Sequence, residues 1–479
     1  MLSSATKIVA TLGPASSDPA LLEKMIRAGV TVVRLNFSHG TAQDHIDRAA
    51  MVREAAQRAG VEVAIMADLQ GPKIRVGKFA EGKVLLEADA KFVLDASRQE
   101  PGDIKGVGLD YKELPRDVRA GDVLLLNDGL IVLTVDAVRG EEVYTTVKVG
   151  GFLSNNKGIN KKGGGLTAPA LTGKDMEDIK TAMSFQADYV AVSFPQNATD
   201  MEMARQLCNV AAAPYKHKPG LIAKIERAEA IPKLLEILLA SDGIMVARGD
   251  LGSEIPIERI ATAQKMMIHK CNRVGKPVIT ATQMLDSMIN NPRPTRAEAT
   301  DVANAVFDGT DCVMLSGETA NGSYPVECVT VMSKICMEAE SAIDYRDLYV
   351  KIRDKTVPPV PVPDSIASSS VKTQWDVSAG LIVCLTETGN TARLVSKYRP
   401  GVPIVACSSS ASVIRQLMVS RGVLPLLVDS MRGTDHVIEF AFAYARRLGL
   451  IEDGDLVVVM SGMIEMQTGS TNMMRVVTV

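Results

Sequence analysis

The segment Thr31-Val-Val-Arg-Leu-Asn-Phe-Ser38 decides the fold, because it begins with β-branched and apolar residues and ends in polar ones. A near-continuous apolar run of this length is typical of a parallel strand buried on both faces. Seven further runs share this character, and helical patterns follow most of the eight. They are Thr6–Thr11, Val63–Leu69, Asp188–Phe194, Leu221–Glu226, Asp242–Ala247, Pro277–Gln283 and Cys312–Glu318. Eight such units predict an α/β fold built on a (β/α)8 TIM barrel, whose active site lies where the strands end.

The predicted strand ends carry charged and polar side chains. Cations and carboxylates alternate around the expected rim, which suits an anionic substrate held together with a metal ion. These residues are Arg34, Asn36 and Ser38 of the second run, Asp68 of the third, Lys224 and Glu226 of the fifth, and Arg248 and Asp250 after the sixth.

The composition limits the class of protein. The chain has 479 residues, 46% hydrophobic and 23% charged, which at about 150 residues per domain predicts three globular domains. A net charge of −3 gives no electrostatic basis for a nucleic acid or membrane partner. The N-terminal segment Met1–Lys7 lacks the apolar core of a secretion signal. The seven cysteines are scattered without Cys-x-x-Cys spacing, which indicates reduced thiols and a cytoplasmic location.

After the third run the pattern changes to short strands only, over residues 73–162. Val123–Leu126, Asn127-Asp128-Gly129 and Leu130–Val135 predict a hairpin, because an Asp-Gly pair tolerates the positive φ of a tight turn. Glu142–Val149 adds another strand. We therefore expect residues 72–163 to form an inserted all-β lid domain over the rim. Gly71-Pro72 and Gly163-Gly-Gly165 mark its connections, and their glycines favour a hinge over a solvated loop.

A second boundary is predicted at Val357-Pro-Pro-Val-Pro-Val-Pro363, because a proline-rich segment is extended and semi-rigid. Residues 1–71 and 164–345 then form the barrel, 346–363 a linker and 364–479 a further domain. Strand-like runs alternate there with helical ones such as Asp435–Leu448, which predicts a small open-sheet α/β domain. The runs are Leu381–Leu385, Pro403–Ala406, Val423–Val428 and Leu456–Met460.

Glu226 and Asp250 end neighbouring strands of the predicted barrel. Two carboxylates with few other protein ligands suit Mg²⁺, which keeps waters and bridges to substrate oxygens. No histidine or cysteine at these strand ends indicates zinc or copper instead. The alternative is a salt bridge from Glu226 to Arg227 or Arg248, and the residues alone leave the two interpretations level.

Lys224 lies two residues before Glu226, so both side chains point into the barrel mouth. A lysine at this place can neutralise the charge of an enolate or of a phosphoryl group in transfer. Burying an unpaired ammonium is costly, which favours a functional role over a structural one.

Arg248-Gly249-Asp250-Leu-Gly252 follows the sixth strand, and we expect an irregular stretch before a helix over Ile257–Cys271. Gly249 lets the backbone approach a ligand, and a helix start supplies amide donors to a carboxylate. A Gly-Asp pair before a helix is also an ordinary cap.

Hydroxyl side chains mark the last two strand ends. Thr280 and Thr282 are expected on one face of strand seven, and Ser316 and Glu318 follow strand eight. A functional role for these residues depends on their sharing the rim with Lys224, because threonine in a strand usually serves packing alone. Thr295-Arg-Ala-Glu298 is a capping box that predicts a helix start.

These segments together resemble the pyruvate kinase family over nearly the whole chain, including the order barrel, insert, barrel and terminal domain. The matching segments are Arg34–Gly40, Asp68–Arg75, Ser154–Asn160, Ala223–Glu226, Val246–Gly252, Ile279–Met284, Asn291–Glu298 and Leu315–Ala320. The resemblance implies transfer of the phosphoryl group of phosphoenolpyruvate to ADP, the last step of glycolysis, through an enolate stabilised by Mg²⁺ or alternatively Mn²⁺. It also implies a cytoplasmic homotetramer.

The resemblance implies roles for individual residues as well. Glu226 and Asp250 correspond to the Mg²⁺ ligands, Lys224 to the transition-state lysine, Arg34 to the substrate-phosphate arginine, and Gly249, Asp250 and Thr282 to the contacts of the substrate carboxylate. Asn36, His39, Arg75 and Lys157 correspond to positions that meet nucleotide phosphates, with Lys157 carried by the lid. Thr282, Ser316 and Glu318 belong to a relay that protonates the enolate, and the final donor stays open.

One departure from the family concerns a monovalent cation. Many members read Asp-Thr-Lys-Gly-Pro-Glu and need K⁺, in a pocket that here corresponds to Asn36, Ser38 and Asp68. This chain reads Asp68-Leu-Gln-Gly-Pro-Lys73, so the position after Asp68 lacks a side-chain oxygen and Lys73 supplies a fixed ammonium. We expect Lys73 to compete with K⁺ for Asp68 and the enzyme not to require K⁺. The alternative is a surface lysine without consequence.

The terminal domain resembles the family's regulatory domain. The loop Thr386-Glu-Thr388-Gly389-Asn-Thr391 precedes a helix, and its hydroxyls and amides could hold a phosphorylated effector. Glu387 opposes an anion there, and the last loop, Ser461–Thr471, has no arginine or tryptophan. Fructose 1,6-bisphosphate is therefore not the expected activator, and another phosphorylated effector, none at all, or a plain helix cap stays open.

Two other classes of protein are alternatives to a pyruvate kinase. A Mg²⁺-dependent lyase or aldolase acting through a pyruvate enolate would need the same charged rim. A non-catalytic regulatory paralogue predicts the loss of Lys224, Glu226 or Asp250, and all three are present.

Overall fold

The structure is a computed structural model that describes residues 4–127, 129–463, 469 and 471–479. Its first part contains three parallel strands and two helices, as the apolar runs predict. The elements are β1 (Lys7–Thr11), α1 (Pro19–Ala28), β2 (Val30–Asn36), α2 (Ala42–Ala59) and β3 (Ala64–Asp68). Each helix begins at a side chain that caps free amides: Asp18 accepts from Ala20 and Leu21, and Thr41 forms a capping box with Asp44.

The insert follows β3 and has its own apolar core, which includes Phe92, Leu94 and Leu133. Its elements are β4 (Lys83–Leu86), β5 (Lys91–Asp95), β6 (Gly106–Gly108), α3 (Leu114–Asp117), β7 (Val123–Leu126), β8 (Ile131–Arg139), β9 (Glu142–Val149), β10 (Gly151–Ser154) and β11 (Ile159–Lys161). A six-stranded sheet has the order β11-β7-β8-β9-β5-β6, and β10 pairs with β4. The predicted hairpin is present, with Leu126 opposite Ile131, although Asp128 of its turn lies outside the described residues.

Glycine is required where the insert joins the barrel. Gly71 has φ +65°, and a Cβ there would lie 2.7 Å from the Cβ of Ser193. On the return, Gly163, Gly164 and Gly165 have φ values of +84°, +79° and +91°. Only glycine adopts such angles without steric cost, which explains the glycine run. Whether the connections act as a hinge stays a prediction.

The second part of the chain completes a closed barrel in the order β1-β16-β15-β14-β13-β12-β3-β2. Its elements are α4 (Gly173–Ser184), β12 (Tyr189–Val192), α5 (Ala198–Ala212), β13 (Gly220–Ile225), α6 (Leu234–Ala240), β14 (Gly243–Ala247), α7 (Arg248–Glu254), α8 (Ile260–Val274), β15 (Val278–Ala281), α9 (Arg296–Asp308), β16 (Cys312–Leu315), α10 (Gly317–Ala320) and α11 (Pro325–Ser341). The TIM barrel prediction is confirmed, and α9 begins at the predicted capping box of Thr295 and Glu298.

Alternate residues of each barrel strand fill the interior, as the period of two requires. The inner cluster includes Val32 of β2, Met66 of β3 and Ile222 of β13. Moving two residues along each strand brings Arg34, Asp68 and Lys224 onto the same inner face. The strand period therefore directs the charged strand ends into the barrel mouth.

The terminal domain is a five-stranded sheet in the order β19-β18-β17-β20-β21. Its elements are α12 (Tyr345–Asp354), α13 (Val362–Asp376), β17 (Leu381–Leu385), α14 (Asn390–Lys397), β18 (Ile404–Ser408), α15 (Ala411–Gln416), β19 (Val423–Leu427), α16 (Thr434–Arg447), β20 (Leu456–Gly462) and β21 (Thr471–Thr478). The open-sheet prediction is confirmed for the four parallel strands. The antiparallel edge strand β21 was not predicted, and residues 464–468 and 470 of the last loop lie outside the described residues.

The predicted linker over residues 346–363 is wrong in extent. Its first half, residues 346–354, belongs to helix α12, which is capped by Asp344, whose carboxylate accepts from the amides of Arg346 and Asp347. Tyr349 of this helix packs edge-on against Trp375, with ring centroids 4.9 Å apart. The helix therefore belongs to the terminal domain's core, and only the part of the predicted linker between α12 and α13 is largely non-helical.

The terminal domain closes the N-terminal end of the barrel. Met418 and Val419 join the inner barrel cluster, and the Tyr189 hydroxyl donates to the carbonyl of Gln416 at 2.6 Å. Arg399 forms a buried ion pair with Asp311, Nη1 to Oδ1 at 2.8 Å. None of the helices in the described part of the chain has the length and apolarity needed to cross a bilayer.

Candidate active site

A continuous chain of charges crosses the barrel mouth from β2 to β13. The Nε of Arg34 lies 2.5 Å from Oδ2 of Asp68, and the Nζ of Lys224 lies 3.1 Å from Oδ1 of the same carboxylate. Lys224 Nζ is also 2.9 Å from Oε1 of Glu226. Two cations and two carboxylates thus alternate, as the strand ends predicted.

Burial and charge act against each other in this chain. Burial favours the neutral amine of Lys224, but the charges of Asp68 and Glu226 outweigh burial and raise the pKa of that lysine. Burial raises the pKa of Glu226, and the neighbouring Asp250 and Asp68 add to the rise against the opposing effect of Lys224. Burial acts to raise the pKa of Asp68, but Arg34 and Lys224 hold it below its usual value. The lysine is therefore charged and held ready to meet an anion.

Two hydroxyl residues that the sequence analysis missed hold these cations in place. Lys224 donates to Oγ of Ser193 at 2.8 Å, and Ser193 donates to the carbonyl of Leu69 at 2.7 Å. Arg34 donates from Nη1 to Oγ1 of Thr11 at 3.1 Å. Both hydroxyl residues lie at the end of a predicted strand, two residues beyond an inner-facing residue, so the strand period could have identified them.

The carboxylate of Glu226 forms neither of the alternative salt bridges, to Arg227 or to Arg248. Arg227 donates to the carbonyls of Leu166 and Ala168, and Arg248 pairs with Asp301 at 2.7 Å. Glu226 Oε2 accepts from the amide of Phe194, which leaves Lys224 as its ionic partner. A salt bridge to arginine thus fails as the structural explanation of Glu226.

The site suits a hard divalent cation held mainly by oxygen atoms. Within the described ranges there is no group of three or more His, Cys, Asp or Glu side chains that would hold an ion by itself. Asp68 Oδ1 is buried without a hydrogen bond, although Lys224 lies at ion-pair distance from it. These carboxylates do not surround an ion completely, and the pKa of Glu226 is raised. Such a set fits an ion that also binds substrate and water oxygens.

The end of β15 is shaped by Arg248. Its Nη2 donates to the carbonyl of Thr282 at 2.7 Å and its Nε to that of Ala281 at 3.0 Å, and Thr282 has φ +74°. The Oγ1 of Thr282 accepts from the amide of Gly249 at 3.2 Å, and a Cβ at Gly249 would lie 2.9 Å from Cγ2 of Thr282. Gly249 therefore packs closely against Thr282, and its approach to a ligand stays a prediction.

Two local expectations near this place are wrong. Residues 248–254 form helix α7 directly after β14 instead of an irregular stretch, so the amide of Gly249 lies in a first helical turn. Thr280 does not share a face with Thr282, because β15 ends at Ala281 and Thr282 adopts a left-handed conformation. Thr280 instead lies 3.0 Å from Oγ1 of Thr310, away from the mouth.

Ser316 and Glu318 follow β16 as predicted. The carboxylate of Glu318 accepts from the amides of Leu285 and Ser316 at 3.1 and 2.7 Å. It is almost fully buried, and burial raises its pKa. An acid of this kind can hold a proton close to the end of the barrel, and the hydroxyl of Ser316 remains half-buried beside it.

The predicted nucleotide residues come from both the barrel and the insert. Partial burial lowers the pKa of His39, and the nearby charges of Arg75, Arg34 and Lys73 lower it further. Arg75 donates to the carbonyl of Asn156 at 3.1 Å, next to Lys157. The side chain of Asn36 accepts from the amide of Ser38 at 3.1 Å. These two residues of the predicted monovalent-cation pocket therefore lie in one turn.

The expected contact between Lys73 and Asp68 is not present. Lys73 Nζ lies 3.1 Å from Oδ1 of Asp250 instead, while Asp68 is held between Arg34 and Lys224. The sequence analysis could not foresee this partner, because the insert leaves the barrel at Gly71 with a left-handed turn.

The loop of the terminal domain precedes a helix, as predicted, with Gly389 at φ +81° before α14. The hydroxyl of Thr391 is 2.7 Å from that of Thr471, and the Thr388 hydroxyl accepts from the amide of Asn390 at 3.4 Å. Thr386 is buried. An effector role for this loop stays a prediction.

Comparison with known families gives two matches along the chain. Residues 3–329 match the family described as "Pyruvate kinase, barrel domain", and residues 364–477 match "Pyruvate kinase, alpha/beta domain". The two matched segments cover most of the chain in the order of its domains.

Individual relatives agree over the full length. A pyruvate kinase of Dictyostelium discoideum is 45% identical over 481 residues, covering 99% of this chain and 94% of that protein. Pyruvate kinase II of Salmonella typhimurium is 47% identical over 483 residues, covering 99% and 98%. The crystal structure of a pyruvate kinase from Cryptosporidium parvum superposes with a TM-score of 0.94 at 41% identity, covering 99% and 96%.

Proposed function

We propose residue roles from one premise: the chain belongs to the pyruvate kinase family. It is a phosphotransferase that moves the phosphoryl group of phosphoenolpyruvate to ADP and, with one proton, gives pyruvate and ATP. The observation that carries the assignment of roles is the alternating chain Arg34, Asp68, Lys224 and Glu226 across the mouth.

Arg34 and Lys224 act on the phosphoryl group in this proposal. Arg34 has its Nε and Nη1 fixed by Asp68 and Thr11, which leaves Nη2 to bind a phosphate oxygen in a set orientation. Lys224 is held by Ser193 and two carboxylates, so its charge is in place before transfer begins. Preorganised charge of this kind stabilises the transition state more than the ground state.

A divalent cation is used throughout the family, and we propose Mg²⁺, with Mn²⁺ as an alternative, at Glu226 and Asp250. When bound, the ion supplies Lewis-acid stabilisation of negative charge on substrate oxygens. The carboxylates orient it, and their crowding supports the assignment, because a cation relieves the repulsion that contributes to the raised pKa of Glu226.

The backbone amides of Gly249 and Asp250 and the hydroxyl of Thr282 bind the substrate carboxylate in this proposal. The close contact of Gly249 with Thr282 supports it. After transfer, Ser316 and Glu318 with Thr282 deliver the proton to the enolate carbon. The raised pKa of Glu318 supports a proton-holding role.

Asn36, His39, Arg75 and Lys157 bind the nucleotide phosphates in this proposal. The support is electrostatic: Arg75 of the insert and Arg34 of the rim both act on His39. Lid closure over a bound nucleotide would add the charge of Lys157 and exclude water.

We further propose that K⁺ is not required. Leu69 offers no ligand oxygen at the position after Asp68, and the ammonium of Lys73 already places a fixed monovalent charge at the rim, on Asp250. Activity with Mg²⁺ is expected to change little when KCl is added at constant ionic strength. A many-fold rise with K⁺ that tetramethylammonium does not reproduce would contradict this.

Three wider features are proposals as well. The domains are 1–71 with 164–345 for the barrel, 72–163 for the lid and 364–479 for the regulatory domain, to which helix α12 is added because its Tyr349 packs against Trp375. We propose a cytoplasmic homotetramer, and the seven buried, unpaired cysteines support a reducing compartment. A phosphorylated effector at Thr386, Thr388, Gly389 and Thr391 remains a candidate, and screening phosphorylated metabolites for a change in activity tests it.

The decisive experiment measures pyruvate formation from phosphoenolpyruvate with and without ADP. A strict requirement for ADP, with ATP formed in equal amount, is the expected result. Pyruvate release without ADP would favour the lyase alternative that shares the charged rim.

A further inference from the structure

A cavity of about 480 Å³ lies between the N-terminal end of the barrel and the terminal domain. The barrel contributes Lys7 and Glu340 to its lining, and the terminal domain contributes Arg399 and Arg421. Since the barrel strands are parallel and Lys7 begins β1, the cavity is at the opposite end from the catalytic rim. Among the described residues, none of the Thr386–Thr391 loop lines it.

Three of the four charged residues that line the cavity are cations, and all three are almost fully buried. Lys7 is 3% exposed, and Arg399 and Arg421 are each 4% exposed. Burying a cation without a counter-ion is costly, so such a group normally has a carboxylate partner or a bound anion. Each of these three cations therefore requires a counter-charge in or beside the cavity.

The protein supplies too few carboxylates for these cations. Asp311 pairs with Arg399, and Glu340 accepts from the amides of Ala5 and Thr6. Lys7 Nζ donates to the carbonyl of Val423 at 2.7 Å. Arg421 donates to the Tyr345 hydroxyl at 3.2 Å and has no ion pair within the described ranges. Even with Asp311 and Glu340 counted, one positive charge remains unbalanced.

Two further observations indicate that the cations are available to a ligand. The Nε of Arg399 is buried without a hydrogen-bond partner, although its Nη atoms are engaged. Burial lowers the pKa of Lys7 to about 8, against the opposing effects of Cys312 and Glu340. An anion would satisfy the free donor and hold the lysine in its charged form.

The rest of the lining is largely apolar and indicates the body of the ligand. Tyr345, Ile343, Val402 and Leu424 face the same cavity as the cations. Its volume is within the range of about 300–1,000 Å³ that is usual for small-molecule sites. Inorganic phosphate would leave this apolar part unfilled.

We propose that the cavity is a second ligand site, which binds a small organic anion with a phosphate or carboxylate group on a ring or apolar body. The anionic group meets Arg421, Lys7 and the free Nε of Arg399. The body packs against Tyr345 and its apolar neighbours. The proposal does not depend on the roles assigned to the catalytic rim.

Calorimetric titration of the full chain tests this with four probes: phenyl phosphate, benzoate, inorganic phosphate and the neutral benzyl alcohol. The aromatic anions are expected to bind, and the tighter of the two identifies the anionic group. Equal binding of benzyl alcohol would contradict the charge argument, and equal binding of inorganic phosphate would contradict the apolar body.

Variants place the binding in this cavity rather than at the rim. R421Q is expected to weaken binding of the aromatic anions by about tenfold, since it removes a charge-assisted contact. E340Q keeps an acceptor for one of the two amides and removes the opposing charge, so it is expected to tighten binding. R116Q, at an arginine whose side chain is 82% exposed on the insert, is the control. If neither R421Q nor E340Q changes the affinity for the aromatic anions, the proposal is wrong. If R421Q does not fold, the affinity of E340Q alone tests the proposal.

Discussion

Lys73 of the insert and Asp250 of the barrel form an ion pair, with Nζ and Oδ1 3.1 Å apart. The lysine lies two residues beyond the connection at Gly71, and the aspartate lies in the first turn of helix α7, which follows β14. A lid residue therefore neutralises a carboxylate that we assign to the divalent cation. The position of the lid and the affinity for the ion are expected to depend on each other through this contact.

Replacing Lys73 by glutamine is expected to tighten the binding of Mn²⁺ in the absence of substrates. Removing a fixed positive charge next to Asp250 reduces its competition with a cation, by about three- to tenfold at a partly exposed site. Electron paramagnetic resonance of free Mn²⁺ measures this without an activity assay. K105Q, at an exposed lysine of the same insert, is the matched control. Unchanged or weaker Mn²⁺ binding in K73Q would show that the ion pair does not compete with the ion.

The strands and the polar rim could be predicted because both follow from local periods. Apolar runs fix the eight strands, and the period of two directs Arg34 and Lys224 inward. Contacts between segments that are distant in the sequence could not be predicted. The contact of Lys73 with Asp250 joins residues 177 positions apart, and no local pattern determines it.

Errors of extent have a similar origin. Helix α12 was expected to be linker because the prolines after it dominate the composition, whereas its Tyr349 packs on Trp375 of the next helix, α13. Thr282 was expected on a strand face, but Arg248 holds the carbonyls of Ala281 and Thr282 and ends the strand early. Tertiary contacts overrode the local pattern in both places.

Replacing Lys224 by methionine is expected to lower kcat by about 10²- to 10³-fold with a much smaller change in the KM for phosphoenolpyruvate. The charge of Lys224 matters most when negative charge develops in the transition state. Steady-state kinetics with both substrates measures the two constants. K180M, at an exposed lysine of helix α4, is the control for the loss of a barrel lysine. A loss confined to KM would contradict the assigned role.

Replacing Gly164 by alanine is expected to lower the melting temperature more than the same change at Gly163. Both glycines have positive φ, so alanine strains the backbone equally at the two positions. A Cβ at Gly164 would overlap the carboxylate of Glu229, whereas nothing lies within 4 Å of one at Gly163.

The difference between the two variants isolates one contact of the lid. Glu229 accepts from the amide of Gly165, and moving its carboxylate away would cost about 1 kcal/mol. Thermal unfolding of both variants measures the difference. Equal melting temperatures would show that Glu229 does not hold the return connection of the lid.

Glu254 gives the protein a pH dependence of stability near neutrality. It is 4% exposed, and burial raises its pKa from 4.5 to about 7, against the hydrogen bond from the amide of Ala228. The folded chain therefore prefers the neutral acid. This contribution to stability is fully present below the unfolded pKa near 4.5 and is lost as the pH rises through about 7.

Replacing Glu254 by glutamine, which cannot ionise, removes this loss. The melting temperatures of E254Q and the unmodified chain are expected to agree near pH 5, and E254Q is expected to exceed the unmodified chain by about 2–6 °C at pH 8. Comparing two proteins at each pH cancels the titration of every other group. E258Q, at an exposed glutamate that follows helix α7, is the control and should show no such trend. An advantage of E254Q that is the same at pH 5 and pH 8 would mean that packing, and not ionisation, causes it.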